Sequence, residues 1–261
     1  MSDPCVGRFN SPNGLWSFCV LGNILPVNRN IYGATMLDLF VPTSEAAFIA
    51  DVSDREMNRA VDEHILPEPL IRSGNGRRFA RLGAALASFY FTSEDVYAAT
   101  LRRKVVEEVT SMLRARRDLE SILALQSEFL RDIDWRINVR DVSIGIVSVD
   151  IGSFVSKAMG RMKAIERAQK FIMIDPDILG GTPVFAGTRV PVDTIMASLK
   201  KGIDRKRILG AHPSLTDEHL EAARVYSEVY PRRGRPTKAS TAPPSWKIRS
   251  SRHVTRHETK A

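Results

Sequence analysis

Between Met36 and Pro231 apolar side chains recur mostly at helical spacing, and the period shortens to two only in short stretches beside turn residues. A chain patterned this way folds into helices that each bury one stripe, joined by hairpins too small to enclose a core of their own. The clearest period-two stretch is residues 135–151, with Ile137, Val139, Val142, Ile144, Ile146, Val147, Val149 and Ile151. Two others flank the turns Gly74-Asn75-Gly76 and Gly180-Gly181. The fold class predicted is therefore mainly α with small β hairpins.

The pattern divides the chain. Residues 1–35 have no sustained period and are rich in Asn, Gly and Pro, so they read as a disordered extension or a start assigned upstream of a true one at Met36. Residues 36–91 read as a winged helix–turn–helix. Thr43 or Ser44 can cap a first helix with Ala46, Ala47, Ile49 and Ala50 on its inner face. Asp51-Val52 breaks the run, with Asp able to adopt the left-handed conformation. Ser53 and Glu56 then form a capping box for a second helix. Met57, Ala60, Val61 and His64 share one face of it, and Arg55, Asn58, Arg59 and Asp62 the other. A hairpin about Gly-Asn-Gly is the wing, and Leu82 to Phe91 is a buried helix.

Residues 92–169 read as a helical and hairpin connector. Thr92 and Asp95 are a capping pair for a helix with the stripe Val96, Leu101, Val105, Val109, Met112 and Leu113. A break near Arg117-Asp118 precedes a second helix carrying Leu119, Ile122, Leu123, Leu125, Phe129 and Leu130. The Val96–Leu113 stripe is either the seam of a homodimer or an internal core. Ser153 to Gln169 returns to helix with Phe154, Ala158, Met162 and Ile165 inward. Residues 170–230 read as a small hairpin and three helices, with Pro191 at a helix start, Gly202 a stop, and Asp204 and Thr216 as caps. Residues 231–261 hold almost no large apolar side chains and read as a disordered basic tail.

Charge follows the same division. The chain carries +8, yet from Arg232 onward nine Lys/Arg face one acid, Glu258, leaving 29 of each sign in the rest. A neutral body with a basic arm favours a polyanion partner. No run approaches the roughly 18 apolar residues that span a bilayer, and Cys5 and Cys19 form no CxxC pair. The expectation is a cytoplasmic chain that does not engage membranes.

The candidate DNA-binding residues are Ser53, Arg55, Asn58 and Arg59 on the second helix and Arg77 and Arg78 on the wing. Arg suits guanine, Asn suits adenine, and wing arginines suit phosphate. In the tail, Arg232-Arg233-Gly234-Arg235-Pro236 resembles an AT-hook, whose extended Arg-Gly-Arg lies in a narrow A·T minor groove. The same arginines suit an acidic site on a partner protein, or simply a basic linker. The segment GGTPVFAGTR lacks both glycine spacings used to cradle nucleotide phosphates, so Gly180, Gly181 and Gly187 read as turn formers. His212 and His219 read as surface histidines. No catalytic group, metal site or cofactor is expected.

The run Asp175-Pro176, Gly180-Gly181-Thr182-Pro183-Val184, Gly187-Thr188-Arg189-Val190-Pro191-Val192 and Pro213-Ser214-Leu215-Thr216 resembles a small bacterial and archaeal domain found in VapB-type antitoxins. The similarity is specific over 171–230 and looser over about 41–170. It implies a homeodomain-like three-helix fold for the C-terminal unit, neutralisation of a PIN-type ribonuclease toxin, and repression of the shared operon through operator DNA. Under it, Gly180, Gly181, Gly187, Thr188, Arg189 and Pro191 are motif residues and candidate toxin contacts. The rival expectation is a helix–turn–helix transcription regulator without a toxin; an enzyme ranks third. A dimer is expected because one short recognition helix covers little DNA.

Overall fold

The computed structural model describes residues 39–74, 76–141 and 145–231. Strand β1 (Phe40–Pro42) runs directly into helix α1 (Thr43–Ala50). Thr43 and Ser44 lie inside that helix rather than capping it: Pro42, at φ −66° and ψ 165°, is the N-cap, and its extended backbone carries the strand into the first turn. Helix α1 ends at Asp51, left-handed at φ 59° and ψ 41°, whose N–H donates to the Phe48 carbonyl at 3.2 Å. A short polar side chain lowers the cost of that conformation.

Helix α2 (Asp54–Asp62) starts on the expected capping box. The Glu56 N–H donates to Ser53 Oγ at 3.2 Å, and the Ser53 N–H donates to Glu56 Oε2 at 2.7 Å. Met57 and Ala60 are buried, but Val61 is only half-buried. His64 is exposed at φ 52°, beyond the helix end, so it leaves the buried face it was expected to share.

Strands β2 (Ile71–Gly74) and β3 (Gly76–Ala80) form the expected antiparallel hairpin. The sequence did not announce β1, which pairs with the other edge of β3 to give the order β1-β3-β2. Val41, Phe79 and Ile71 lie in one row across that sheet. Helix α3 (Arg81–Thr92) is buried on every side from Leu82 to Phe91. It can approach because Gly83 has no side chain: a Cβ there would sit 2.9 Å from the Leu70 carbonyl oxygen.

The connector departs from expectation at its start. Thr92 ends α3 and donates its hydroxyl to the Ser88 carbonyl at 2.7 Å, while α4 (Ala99–Arg114) begins only at Ala99. Val96, 71% exposed in the intervening turn, therefore lies outside the stripe. Leu101, Val105, Val109 and Leu113 are buried, with α4 packed against α3 and β4, so they are internal core within one chain, while Met112, expected in the same stripe, is exposed. Left-handed Leu125 (φ 57°) splits the next predicted helix into α5 (Leu119–Leu123) and α6 (Ser127–Leu130). Strands β4 (Arg136–Asp141) and β5 (Gly145–Asp150) pair from Arg136↔Asp150 to Asp141↔Gly145. Val142 and Ile144, expected in the strands, lie outside the described residues.

Helix α7 (Gly152–Phe171) buries Ala158, Met162 and Ile165 as its period predicts, but Val155 is buried in place of Phe154, which is only half-buried; the helix packs against α1, α3 and a later helix, α10 (Asp217–Val229). Between them, β6 (Ile172–Met173) pairs with β7 (Val184–Phe185), followed by α8 (Val192–Lys200) and α9 (Arg205–Ala211). Gly202, at φ 75°, stops α8 as expected. His219 is half-buried and held by neighbours rather than free at the surface. Its Nδ1 accepts the Thr216 N–H at 3.1 Å, and its ring lies edge-on to Phe171 and Phe185 at 4.8 and 5.6 Å. Buried side chains from Phe40 to Val229 form one continuous cluster. Among the described residues no helix is long and apolar enough to cross a membrane.

Candidate nucleic-acid interface

The outward face of α2 is set by the two devices just described, the left-handed Asp51 and the Ser53–Glu56 box. Arg55 is exposed there and makes no hydrogen bond or ion pair among the described residues. The other expected readers are occupied. Ser53 is used by the cap, which also holds the Glu56 carboxyl below its ordinary range, through the Ser53 N–H first. Asn58 Nδ2 donates to the Asp54 carbonyl at 2.8 Å, and its Oδ1 accepts from Arg77 at 2.9 Å. Arg59 donates to Glu63 at 2.7 Å, an exposed pair, and its guanidinium lies 5.5 Å from the Phe91 ring centre.

The hairpin divides its arginines in a way the sequence did not show. Arg77 turns inward to α2 and donates to Asp62 at 2.6 Å, tying the hairpin to the helix instead of reaching outward. Arg78 donates to the Phe40 carbonyl at 2.9 Å. Directly across the ladder from Arg78 stands Arg72, exposed, its guanidinium 4.1 Å from the centre of the Phe40 ring. Like charges opposite one another weaken a sheet. Counting ladder pairs outward from Gly-Asn-Gly places 72 opposite 78, so the signal for Arg72 was present in the sequence and missed.

Positive charge on this face is thus narrower than the sequence suggests. Asp54, Glu56, Asp62 and Glu63 accompany Arg55 and Arg59 on α2 and its end. Arg55 makes no hydrogen bond or ion pair among the described residues, and Arg72 rests on the Phe40 ring. Arg232, Arg233 and Arg235 lie outside the described residues.

The C-terminal motif residues do mostly structural work. Gly180, Gly181 and Gly187 take φ of 62°, 80° and 74°, the region that favours glycine. Thr188 Oγ1 donates to the Phe185 carbonyl at 2.9 Å and accepts the Val190 N–H at 3.1 Å. Pro191 bridges to Val184 and is the N-cap of α8. Arg189 differs: it is exposed and has no hydrogen bond or ion pair among the described residues. Leu179, on the same connection, is 52% exposed at φ 49°. Among the described residues no group of three or more His, Cys, Asp or Glu is placed to hold a metal ion.

Residues 172–227 match the family described as "Protein of unknown function (DUF433)". Over 213 residues the chain is 36% identical to "Uncharacterized protein y4eO" of Sinorhizobium fredii (strain NBRC 101917 / NGR234), covering 82% of this chain and 91% of that one. No solved structure matches it. The match to y4eO spans both the helix-pair half and the C-terminal half, and the chain belongs to the family of that protein, with a DUF433 segment at 172–227.

Proposed function

We propose that this chain is a DNA-binding regulator that uses a winged helix–turn–helix at residues 36–91, and that it serves as the antitoxin of a toxin–antitoxin pair. In this reading α2 enters the major groove, the β2–β3 hairpin is the wing, and operator binding represses the operon. The observation that carries it is Arg55, outward, with no hydrogen bond or ion pair among the described residues, on a helix whose start is fixed by a capping box. A base-reading helix needs such a side chain on a rigid mount. Arg72 supplies a phosphate contact in the role first expected of Arg77. A homodimer supplies the second half-site.

The antitoxin half rests on the resemblance of the C-terminal segment to VapB-type antitoxins, with α8, α9 and α10 as its homeodomain-like unit. Arg189 and Leu179 are the exposed cation and apolar side chain that segment offers to a PIN-type ribonuclease. The test has two arms. Binding to DNA upstream of its own gene, followed by fluorescence anisotropy across a salt series, is expected to show a specific site and a negative log–log slope. Co-expression with the neighbouring reading frame is expected to relieve growth arrest and to yield a complex. A specific site without a complex leaves the stand-alone regulator; no DNA binding at any salt removes the first claim.

A further inference from the structure

The corner between α8 and α9 carries the densest positive charge among the described residues. Residues 200–207 hold Lys200, Lys201, Arg205, Lys206 and Arg207 against one acid, Asp204. All five cations are exposed. Lys200, Lys201, Lys206 and Arg207 make no hydrogen bond or ion pair among the described residues. Arg205 lies 3.8 Å from a carboxylate oxygen of Asp217 and of Glu221, at the long end of an exposed pair. Gly202, at φ 75°, turns the chain so that the end of α8 meets the start of α9.

Helix stability explains only part of this charge. Lys200 lies in the last turn of α8, where the helix dipole favours a cation. Arg205, Lys206 and Arg207 open α9, where the dipole favours acids and the first turn holds none. The corner also lacks what a protein partner needs. Ile208 is buried, Leu199, Ile203 and Leu209 are half-buried, and none of the exposed large apolar side chains among the described residues lies within 197–211. Protein interfaces are anchored by apolar and aromatic side chains, whereas a phosphate backbone is held by outward cations alone. Gly210 and Ala211, exposed one turn beyond Lys206 and Arg207, leave this face of α9 low enough for a backbone to approach.

We propose that the α8–α9 corner is a nucleic-acid surface in its own right, holding the phosphate backbone of duplex DNA through Lys200, Lys201, Lys206 and Arg207 without reading bases. It is separate from α2. A cleft of about 600 Å³, lined by Asp54, Asp193 and Tyr230, lies at the opposite ends of α8 and α10 from the corner. Helix α10 alone spans about 20 Å between the two. The proposal does not rest on the reading of α2, because it concerns duplex of any sequence.

The test uses the full-length protein and a fluorescent duplex of arbitrary sequence, followed by anisotropy across a salt series. The variant K200Q/K201Q/K206Q/R207Q is expected to lose roughly 3 from the magnitude of the log–log salt slope, about one for each phosphate contact removed. Its thermal midpoint is expected to stay where it is, since all four side chains are exposed. On the wild type, acetylation of Lys200, Lys201 and Lys206 by an N-hydroxysuccinimide ester, read by mass spectrometry, is expected to slow several-fold when duplex is added, relative to the exposed Lys157 of α7. An unchanged slope in a folded variant overturns the proposal, as does equal labelling with and without duplex. Protection by poly-glutamate but not by duplex also overturns it, and makes the corner a seat for an acidic protein. If the variant does not fold, the labelling of the wild type decides alone. A specific operator site read through α2 is unaffected by either result.

Discussion

At the scale of single residues, three arginines that look alike in the sequence have different work. Arg55 is exposed and unbonded among the described residues, Arg72 stands opposite Arg78 over the Phe40 ring, and Arg77 joins the hairpin to Asp62 and Asn58. Arg55→Ala is expected to weaken specific DNA binding by about 1–3 kcal/mol without moving the thermal midpoint. Arg72→Ala is expected to lower the salt slope by about 1 while sparing sequence preference. Arg77→Ala should cost about 0.5–1 kcal/mol of stability, because its ion pair is half-exposed. Anisotropy and urea unfolding of the three variants check the division; a loss of stability in Arg55→Ala would refute it.

At the scale of elements, two contacts govern where the helices lie. Gly83 lets α3 press on the Leu70 carbonyl, and a Cβ at 2.9 Å would force the helix away. Gly83→Ala is therefore expected to cost about 1–3 kcal/mol through overpacking, despite the better helix propensity of alanine. An unchanged or raised urea midpoint would show that α3 can shift freely. The Ser53–Glu56 box anchors α2 and has a pH signature. Its Ser53 N–H holds the Glu56 pKa below the ordinary value, so its contribution is present above the usual glutamate range and is lost as pH falls through the lowered native pKa. Glu56→Gln should flatten the acid side of stability against pH, measured by urea midpoints from about pH 6 to 3 around the usual glutamate value. Parallel curves for both proteins would count against the box.

At the scale of the whole molecule, the notable feature is that the C-terminal half is not a separate bead. Arg161 of α7 meets Asp51 at 3.0 Å, Arg81 meets Glu166 at 2.8 Å, and α10 packs on both α7 and α1. One apolar cluster runs through both halves. A ligand held by the DUF433 segment would therefore act on the same core that positions α2. Phe185, fully buried in the C-terminal hairpin, tests this coupling. Phe185→Ala is expected to cost about 3–5 kcal/mol and to lower a single calorimetric transition as a whole. Two resolved transitions, with only one shifted, would mean that the halves unfold independently.

Local chemistry was written into the sequence wherever neighbours along the chain decide the outcome. The Ser53–Glu56 box, the left-handed Asp51, the Gly-Asn-Gly hairpin, the paired strands at 136–150 and the Gly202 stop could all be read because each depends on a few adjacent residues. The Val96–Leu113 stripe could be seen but not assigned to a seam or a core, since periodicity says that a face is buried and not what buries it. Strand β1 was invisible because three residues carry no period, and pairing with β3 alone makes them a strand. Which arginines stay outward, and that Asp54, Asp193 and Tyr230 share one cleft, depends on residues far apart in sequence meeting across packed helices. Those meetings are set by how the helices fit together, a property of side-chain shape in three dimensions that a linear pattern does not encode.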